Sequence, residues 1–274
     1  MTRNYDGRVL RSGLRLENMA AKTIAENLGR IEGRICAAAA RAGRARAEIT
    51  LIGVSKTHGA AAIREAYAAG LRHFGENRVQ EWEAKRGEIA EIATQMSGGA
   101  SSELPGAVWH LIGHLQSNKA GRAAGIFDCV DSVDNVAVAE RLARAWVGDV
   151  SAGAGATRRL RVLMEVRVAE EETKSGVAIG ALPELAERIA GLEGLELAGL
   201  MCVPPFLEDA ELVRPYFRVL REARDGLRVR LGRELPVLSM GMSHDFEVAI
   251  EEGATEVRVG TGLFGVREVG RWSP

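Results

Sequence analysis

Short aliphatic runs alternate along the chain with stretches of helical period. The first run, Ile49-Thr-Leu-Ile-Gly-Val-Ser-Lys56-Thr57, is β-branched and aliphatic and reads as a strand buried on both faces. A helix-period segment with Ile63, Ala66, Tyr67 and Gly70 follows it. The same spacing predicts strands at Ile49–Val54, Leu71–Phe74, Val108–Ile112, Cys129–Asp131, Leu160–Val166, Leu195–Met201, Val237–Met240 and Glu256–Val259. Helices are predicted between them, at 60–69, 79–93, 118–124, 135–146, 182–190, 209–231 and 244–252. A further helix, 16–42, precedes the first strand, with Leu16, Met19, Ile24, Leu28, Ile31, Ile35 and Ala39 on one face. This order predicts an α/β protein, a (β/α)8 barrel with an extra N-terminal helix; an open doubly wound sheet is the alternative. Residues 1–15 are polar and carry Gly7 and Gly13, which predicts a flexible leader. Residues 16–270 are expected to form a single domain. Gln95–Pro105 and Gly148–Arg158 lie between a helix and the next strand and read as insertions at the bottom face of a barrel.

Composition narrows the class. The 274 residues suffice for a sizeable core, and apolar residues make up 46 % against 27 % charged, as in soluble globular domains. Thirty-six basic against 37 acidic residues give a net charge of −1, without the basic excess of a nucleic-acid or membrane-surface protein. Cys36, Cys129 and Cys202 lie far apart with no metal-ligand spacing, which points to a reducing compartment. No 18-residue apolar stretch and no apolar signal core occur. The expected location is cytoplasmic, with neither nucleic acid nor membrane as a partner.

The polar residues at the strand ends carry the chemistry. Lys56 closes the first strand, where a barrel places its catalytic rim. A desolvated lysine amine there can attack a carbonyl, although most strand-end lysines snorkel or pair with a carboxylate. The other strands end in Phe74-Gly-Glu-Asn77-Arg-Val-Gln80-Glu81, Trp109-His110-Leu-Ile-Gly113-His114, Gly199-Leu-Met201-Cys-Val, Leu238-Ser239-Met-Gly241-Met242-Ser243-His244-Asp245 and Val257-Arg258-Val-Gly260-Thr261-Gly262. Polar groups and glycines at successive strand ends predict one shared pocket. Ser239, Ser243, Gly260 and Thr261 suit a phosphate, since barrels commonly bind one after strands seven and eight; plain turns are the alternative. Asp245 is placed to cap the helix that follows. Arg258, inside a strand, either pairs with a buried carboxylate such as Glu165 or faces a ring nitrogen. His110 and His114 are four apart, but Gly113 breaks the helical face an HxxxH metal site needs, so no metal site is expected.

Val54-Ser-Lys56-Thr57, Phe74-Gly-Glu-Asn77 with Val79-Gln-Glu81, Trp109-His-Leu-Ile-Gly113 with Leu115-Gln-Ser-Asn-Lys119, Lys174-Ser-Gly176, Gly199-Leu-Met201, Leu238–Ser243 with Asp245, and Val257-Arg-Val-Gly-Thr261 together resemble the YggS/PROSC family of pyridoxal phosphate (PLP) homeostasis proteins. The resemblance runs from about residue 16 to 268 and implies a barrel similar to that of alanine racemase, without its second, β-rich domain. It implies PLP held as a Schiff base on Lys56, phosphate contacts from Ser239, Gly260 and Thr261, Arg258 at the pyridine nitrogen, and Asn77, His110 and Met201 lining the ring. Arg167 stands where the family often carries Asn. An arginine at the pyridine nitrogen opposes its protonation and weakens the ring as an electron sink. Racemisation also needs a base on each face, and Tyr5, Tyr67 and Tyr216 lie in no strand-end motif. The implied function is therefore PLP homeostasis without evident turnover, with apo PLP-dependent enzymes as partners and a monomeric state. A PLP-dependent amino-acid racemase of weak or broad activity is the alternative. An aldolase-type barrel using Lys56 without PLP is a third reading.

Overall fold

The computed structural model describes residues 23–97, 104–150, 159–169 and 175–265. The leader, Lys174 and the centres of both insertions lie outside them. Eight parallel strands close into a barrel: β1 (Thr50–Val54), β2 (His73–Glu76), β3 (Val108–Leu111), β4 (Cys129–Val133), β5 (Leu160–Arg167), β6 (Leu195–Met201), β7 (Val237–Ser239) and β8 (Glu256–Val259). Pairing of β1 with β8, Ile52 opposite Arg258, completes the ring and overturns the open-sheet alternative. A two-residue strand, Val177–Ala178, adds to the outer end of β5.

Side chains alternate between barrel interior and helix layer, as the two-residue period of a strand requires. Phe74 and Trp109 face outward, stacked with ring centroids 5.1 Å apart, and Trp82 meets Trp109 edge-on. Trp82 belongs to α3 (Val79–Ser97), so this aromatic group fastens β2 and β3 to their helix.

The extra N-terminal helix, α1 (Ile24–Arg41), opens with a capping box between Thr23 and Glu26 and buries Ile24, Asn27, Leu28, Ile31, Ile35, Ala38 and Ala39. It packs against α2 (Ala60–Ala68), α8 (Phe246–Glu251) and the four-residue α9 (Thr261–Phe264). Arg34–Glu247 and Arg41–Glu251 ion pairs and the Asn27 amide donating to Leu263 O at 3.0 Å fix it there. Because α9 is too short to flank β8, α1 fills the eighth place in the helix ring, beside α2, α3, α4 (Ala120–Ala124), α5 (Val136–Val150), α6 (Leu182–Ala190), α7 (Arg214–Leu231) and α8.

Two strands run further than their aliphatic residues suggest. β2 starts at His73 rather than Leu71, because the Leu71 N–H still closes the preceding helix on Ala66 O, and it continues to Glu76. β4 continues past Asp131 to Val133. In both, fully buried polar residues find partners inside the fold: Glu76 in Ser55 and Lys85, Asp131 Oδ2 in His110, and Ser132 in Gly113 O, while Asp131 Oδ1 is left without a hydrogen-bond partner.

Candidate functional site

The turn after β1 is where the site begins. The Ser55 N–H donates to Gly75 O, and the His58 N–H returns to Ser55 O at 3.0 Å, closing a four-residue turn with Lys56 and Thr57 at its centre. Thr57 has φ 66°, the one positive φ outside glycine among the described residues. A β-branched residue there is strained, typically by about 1–3 kcal/mol, and needs neighbours that hold it. Lys56 is half-buried at the carboxyl end of the barrel.

The last two strand ends close on this turn. A Cβ on Gly260 would lie 3.5 Å from Val54 Cβ, so the backbone after β8 runs directly against the strand that carries Lys56. The Gly262 N–H donates to Ser243 Oγ at 3.3 Å, joining the loops after β7 and β8. A Cβ on Gly262 would sit 3.1 Å from Val259 Cγ1 and 3.5 Å from Ser243 Oγ, which explains the small residue. Thr261 is exposed at the rim, and the His58 ring stacks on Phe264, centroids 5.0 Å apart. Asp245 makes no side-chain cap to the helix after it; its carboxylate turns back to accept the Met242 N–H at 2.6 Å, holding the β7 loop.

Beneath the rim lies Arg258, 4 % exposed. Its terminal nitrogens donate to Ser239 O, Ser239 Oγ and Cys202 O, each at 2.8 Å. These are neutral acceptors rather than the Glu165 carboxylate. Ser239 is thus fully buried as a partner of the arginine, and Met201 stands beside it in register. Glu165, at the end of β5, is 7 % exposed. Burial and then the charge of Asp134 push its carboxyl up to about 7, against Arg258, His114 and a hydrogen bond from Ser175. Its Oε2 is buried with no hydrogen-bond partner. Ser175 reaches it because Gly176, φ 112°, lies so close to β5 that a Cβ would meet Arg167 N at 2.8 Å.

His110 sits deeper and is fully buried. Its Nδ1 lies 2.9 Å from Asp131 Oδ2 and its Nε2 lies 3.0 Å from His73 Nδ1, so only the ring face is left for a bound molecule. Full burial works against its charged form, but Asp131 outweighs this and holds the imidazolium well above the usual range. Burial, then the charge of His110, lowers His73 to about 4. Arg161 pairs with Glu256 in the same region. His110, Asp131 and Glu256 bring donor atoms within 4.8 Å of one another, a convergence the sequence spacing does not reveal. A dication there would have to displace the Arg161 guanidinium and the His110 proton. Two surface hollows, of about 600 and 340 Å³, open at the amino ends of the strands and hold none of the strand-end residues.

Strand ends thus bring together Lys56, Ser243, Gly260 and Thr261 at the rim, with Asn77 half-buried after β2 and Arg258, Ser239 and Met201 below. Sequence reasoning gave no role to Glu76, Glu81 and Lys85. Lys85 Nζ donates to Ser55 O (3.0 Å), Glu76 Oε1 (3.0 Å) and Oε2 (3.2 Å), and Glu81 Oε1 (2.9 Å), and Glu81 also accepts the Thr57 N–H. Their signal was the i, i+4 spacing of Glu81 and Lys85, which looks the same as that of an ordinary surface pair.

The family model for the alanine racemase N-terminal domain matches residues 27–268. A pyridoxal phosphate homeostasis protein of Aquifex aeolicus is 44 % identical over 244 residues, covering 89 % of this chain and 98 % of its relative. The chain belongs to the pyridoxal phosphate homeostasis family. Among solved structures it is similar to PipY of Synechococcus elongatus with PLP bound, with a TM-score of 0.73, 38 % identity, and coverage of 89 % of this chain and 100 % of that one. Alanine racemase of Corynebacterium glutamicum shares the fold, with a TM-score of 0.57 at 19 % identity; the match covers 87 % of this chain and 61 % of the racemase. The family chains and this one therefore correspond over nearly their whole length, whereas the racemase extends well beyond the barrel.

Proposed function

We propose that the protein binds PLP at the carboxyl end of the barrel and serves intracellular PLP homeostasis, with Lys56 as the cofactor's lysine. The observation that carries this reading is the contact between the Gly260 turn and Val54, which sets an anion-suited backbone beside the Lys56 strand end. Bound PLP supplies an aldehyde that condenses reversibly with an amine, releasing water. The residues present fit such a group. Ser243, Gly260, Thr261 and Gly262 form a narrow turn with a hydroxyl at its rim, suited to a phosphate. Arg258 keeps a fixed positive charge beneath the mouth, held by three neutral oxygens, and disfavours a proton on a ring nitrogen facing it. Ser239 acts through that arginine. Asn77, Met201 and the face of His110 are available to a ring.

Non-enzymatic holding of the cofactor is favoured over racemisation on two grounds. Arg258 weakens the ring as an electron sink, and neither described tyrosine supplies a base: Tyr67 is in α2 and donates to Pro105 O at 2.8 Å, and Tyr216 packs in the helix layer. Three free thiols accord with a cytoplasmic location, and among the described residues no helix is long and apolar enough to cross a membrane. Titration with PLP, followed by absorbance, tests the reading: the wild type should gain a band above 400 nm that Lys56→Ala lacks, and a wild type without that band would end it.

A further inference from the structure

The cluster around the Lys56 turn has no part in holding a phosphate or a ring. Lys85 and Glu81 nevertheless touch the backbone on either side of that lysine, and Glu76 holds Lys85 and the Ser55 hydroxyl. Lys85 Nζ donates to Ser55 O, one residue before Lys56, and to both oxygens of Glu76, which is fully buried. Glu76 Oε1 also accepts from Ser55 Oγ at 2.7 Å. Glu81 accepts both the Thr57 N–H, one residue after Lys56, and Lys85. Thr57 is the residue with φ 66°, at the turn position where glycine is the usual occupant. A threonine stays there only if its surroundings over-determine the turn. The Glu81 carboxylate, gripping the Thr57 N–H, and the Lys85 ammonium, gripping the Ser55 carbonyl, do this from both sides.

We propose that Glu76, Glu81 and Lys85 form a positioning brace that holds the Ser55–His58 turn in its left-handed form at Thr57 and so aims the Lys56 amine into the barrel mouth. The inference rests on Lys56 being the cofactor's lysine. Lys85 is a positioning residue, not a second attachment point, since its ammonium is committed to four oxygens. The two carboxylates share that ammonium unequally. Burial raises the Glu76 carboxyl against the pull of Lys85 and Ser55. Burial also works to raise Glu81, but the Thr57 N–H and Lys85 outweigh it and hold its carboxyl low.

The test compares two ligands on the full-length protein. PLP needs a correctly aimed amine, whereas pyridoxine 5′-phosphate, with an alcohol in place of the aldehyde, reports the pocket alone. Lys85→Met and Glu81→Gln should each weaken PLP binding by about tenfold or more while leaving affinity for pyridoxine 5′-phosphate within about twofold. Lys85→Arg should restore part of the loss. Adding Thr57→Gly should rescue both variants, because glycine takes the left-handed turn without a brace. Equal loss of both ligands, no loss of either, or no rescue by Thr57→Gly would overturn the brace. If Lys85→Met does not fold, Glu81→Gln, which keeps the Lys85–Glu76 pair, decides by the same criteria. A wild type that binds both phosphates equally and gains no band above 400 nm would count against the Lys56 reading, not against the brace.

Discussion

In the lower half of the barrel interior, His73, His110, Asp131, Arg161 and Glu256 answer one another: imidazolium against carboxylate, guanidinium against carboxylate. At the mouth, apart from the pairs that Lys85 makes with Glu76 and Glu81 and His114 with Asp134, the ionisable groups are not matched in pairs. Arg258 is held by neutral oxygens, Glu165 has a buried oxygen without a partner, and Thr261 and the glycine turns face outward. The lower network directs its charges at its own members, although Asp131 Oδ1 and Glu256 Oε2 are buried without a hydrogen-bond partner, and serves the fold. The upper groups leave charge unanswered, which costs stability unless a ligand answers it. Mutations of His73, Arg161 or Glu256 below should therefore move stability with affinity unchanged, and mutations above should do the reverse.

The sharpest way to break this division is Arg161→Met. It leaves Glu256, one of whose oxygens already lacks a partner, buried without its guanidinium. Urea unfolding should show a loss of about 3–5 kcal/mol, with PLP affinity per folded molecule unchanged. A matching loss of affinity would erase the distinction between the two halves.

His73 gives a smaller effect with a defined sign. Folded, it stays neutral down to about 4, while the unfolded chain takes up a proton near the ordinary histidine value. The unfolded state binds more protons in that window, so stability falls as pH drops from about 6.5 towards 4. His110 runs the other way: its raised value adds stability that is present at low pH and lost as pH rises through its folded pKa. His73→Gln should flatten the acid limb of the stability profile; an unchanged limb would show that His73 is not the group responsible.

The smallest effect belongs to the mouth. Glu165 titrates at about 7, with Asp134, Arg258, His114 and Ser175 around it. As pH rises through 7 it gains a negative charge near the place proposed for an anionic cofactor. PLP affinity should then fall by roughly 2–5-fold between pH 6 and 8, as about 0.4–1 kcal/mol of screened repulsion gives. Glu165→Gln should remove that slope, and a slope that survives the substitution would place the titration elsewhere.

What could be read from the sequence divides along the same line. Aliphatic runs such as Leu160–Val166 announce barrel strands, and glycines with hydroxyls after them announce the rim. The lower network was hidden, because Asp131 looks like a strand terminator until the His110 that pairs with it is known. The brace was hidden for another reason. Glu81 and Lys85 have the spacing of a solvated helix pair, and no propensity foretells a threonine at φ 66°. Of the helix expected at 16–42, 16–22 lie outside the described residues and the rest starts at Ile24 behind its Thr23 cap; its period was legible, but its place as the eighth member of the ring follows only from the shortness of α9. For Arg258 the sequence left open a carboxylate partner, and the structure gives it carbonyl and hydroxyl oxygens instead.

With five lysines in the chain (Lys22, Lys56, Lys85, Lys119 and Lys174), one measurement reaches the central claim directly. Saturate the protein with PLP, reduce with borohydride, digest, and locate the added mass by peptide sequencing. The account predicts the pyridoxyl group on Lys56, with Lys85 unmodified. Modification spread over the other lysines, or absent from Lys56, would contradict it.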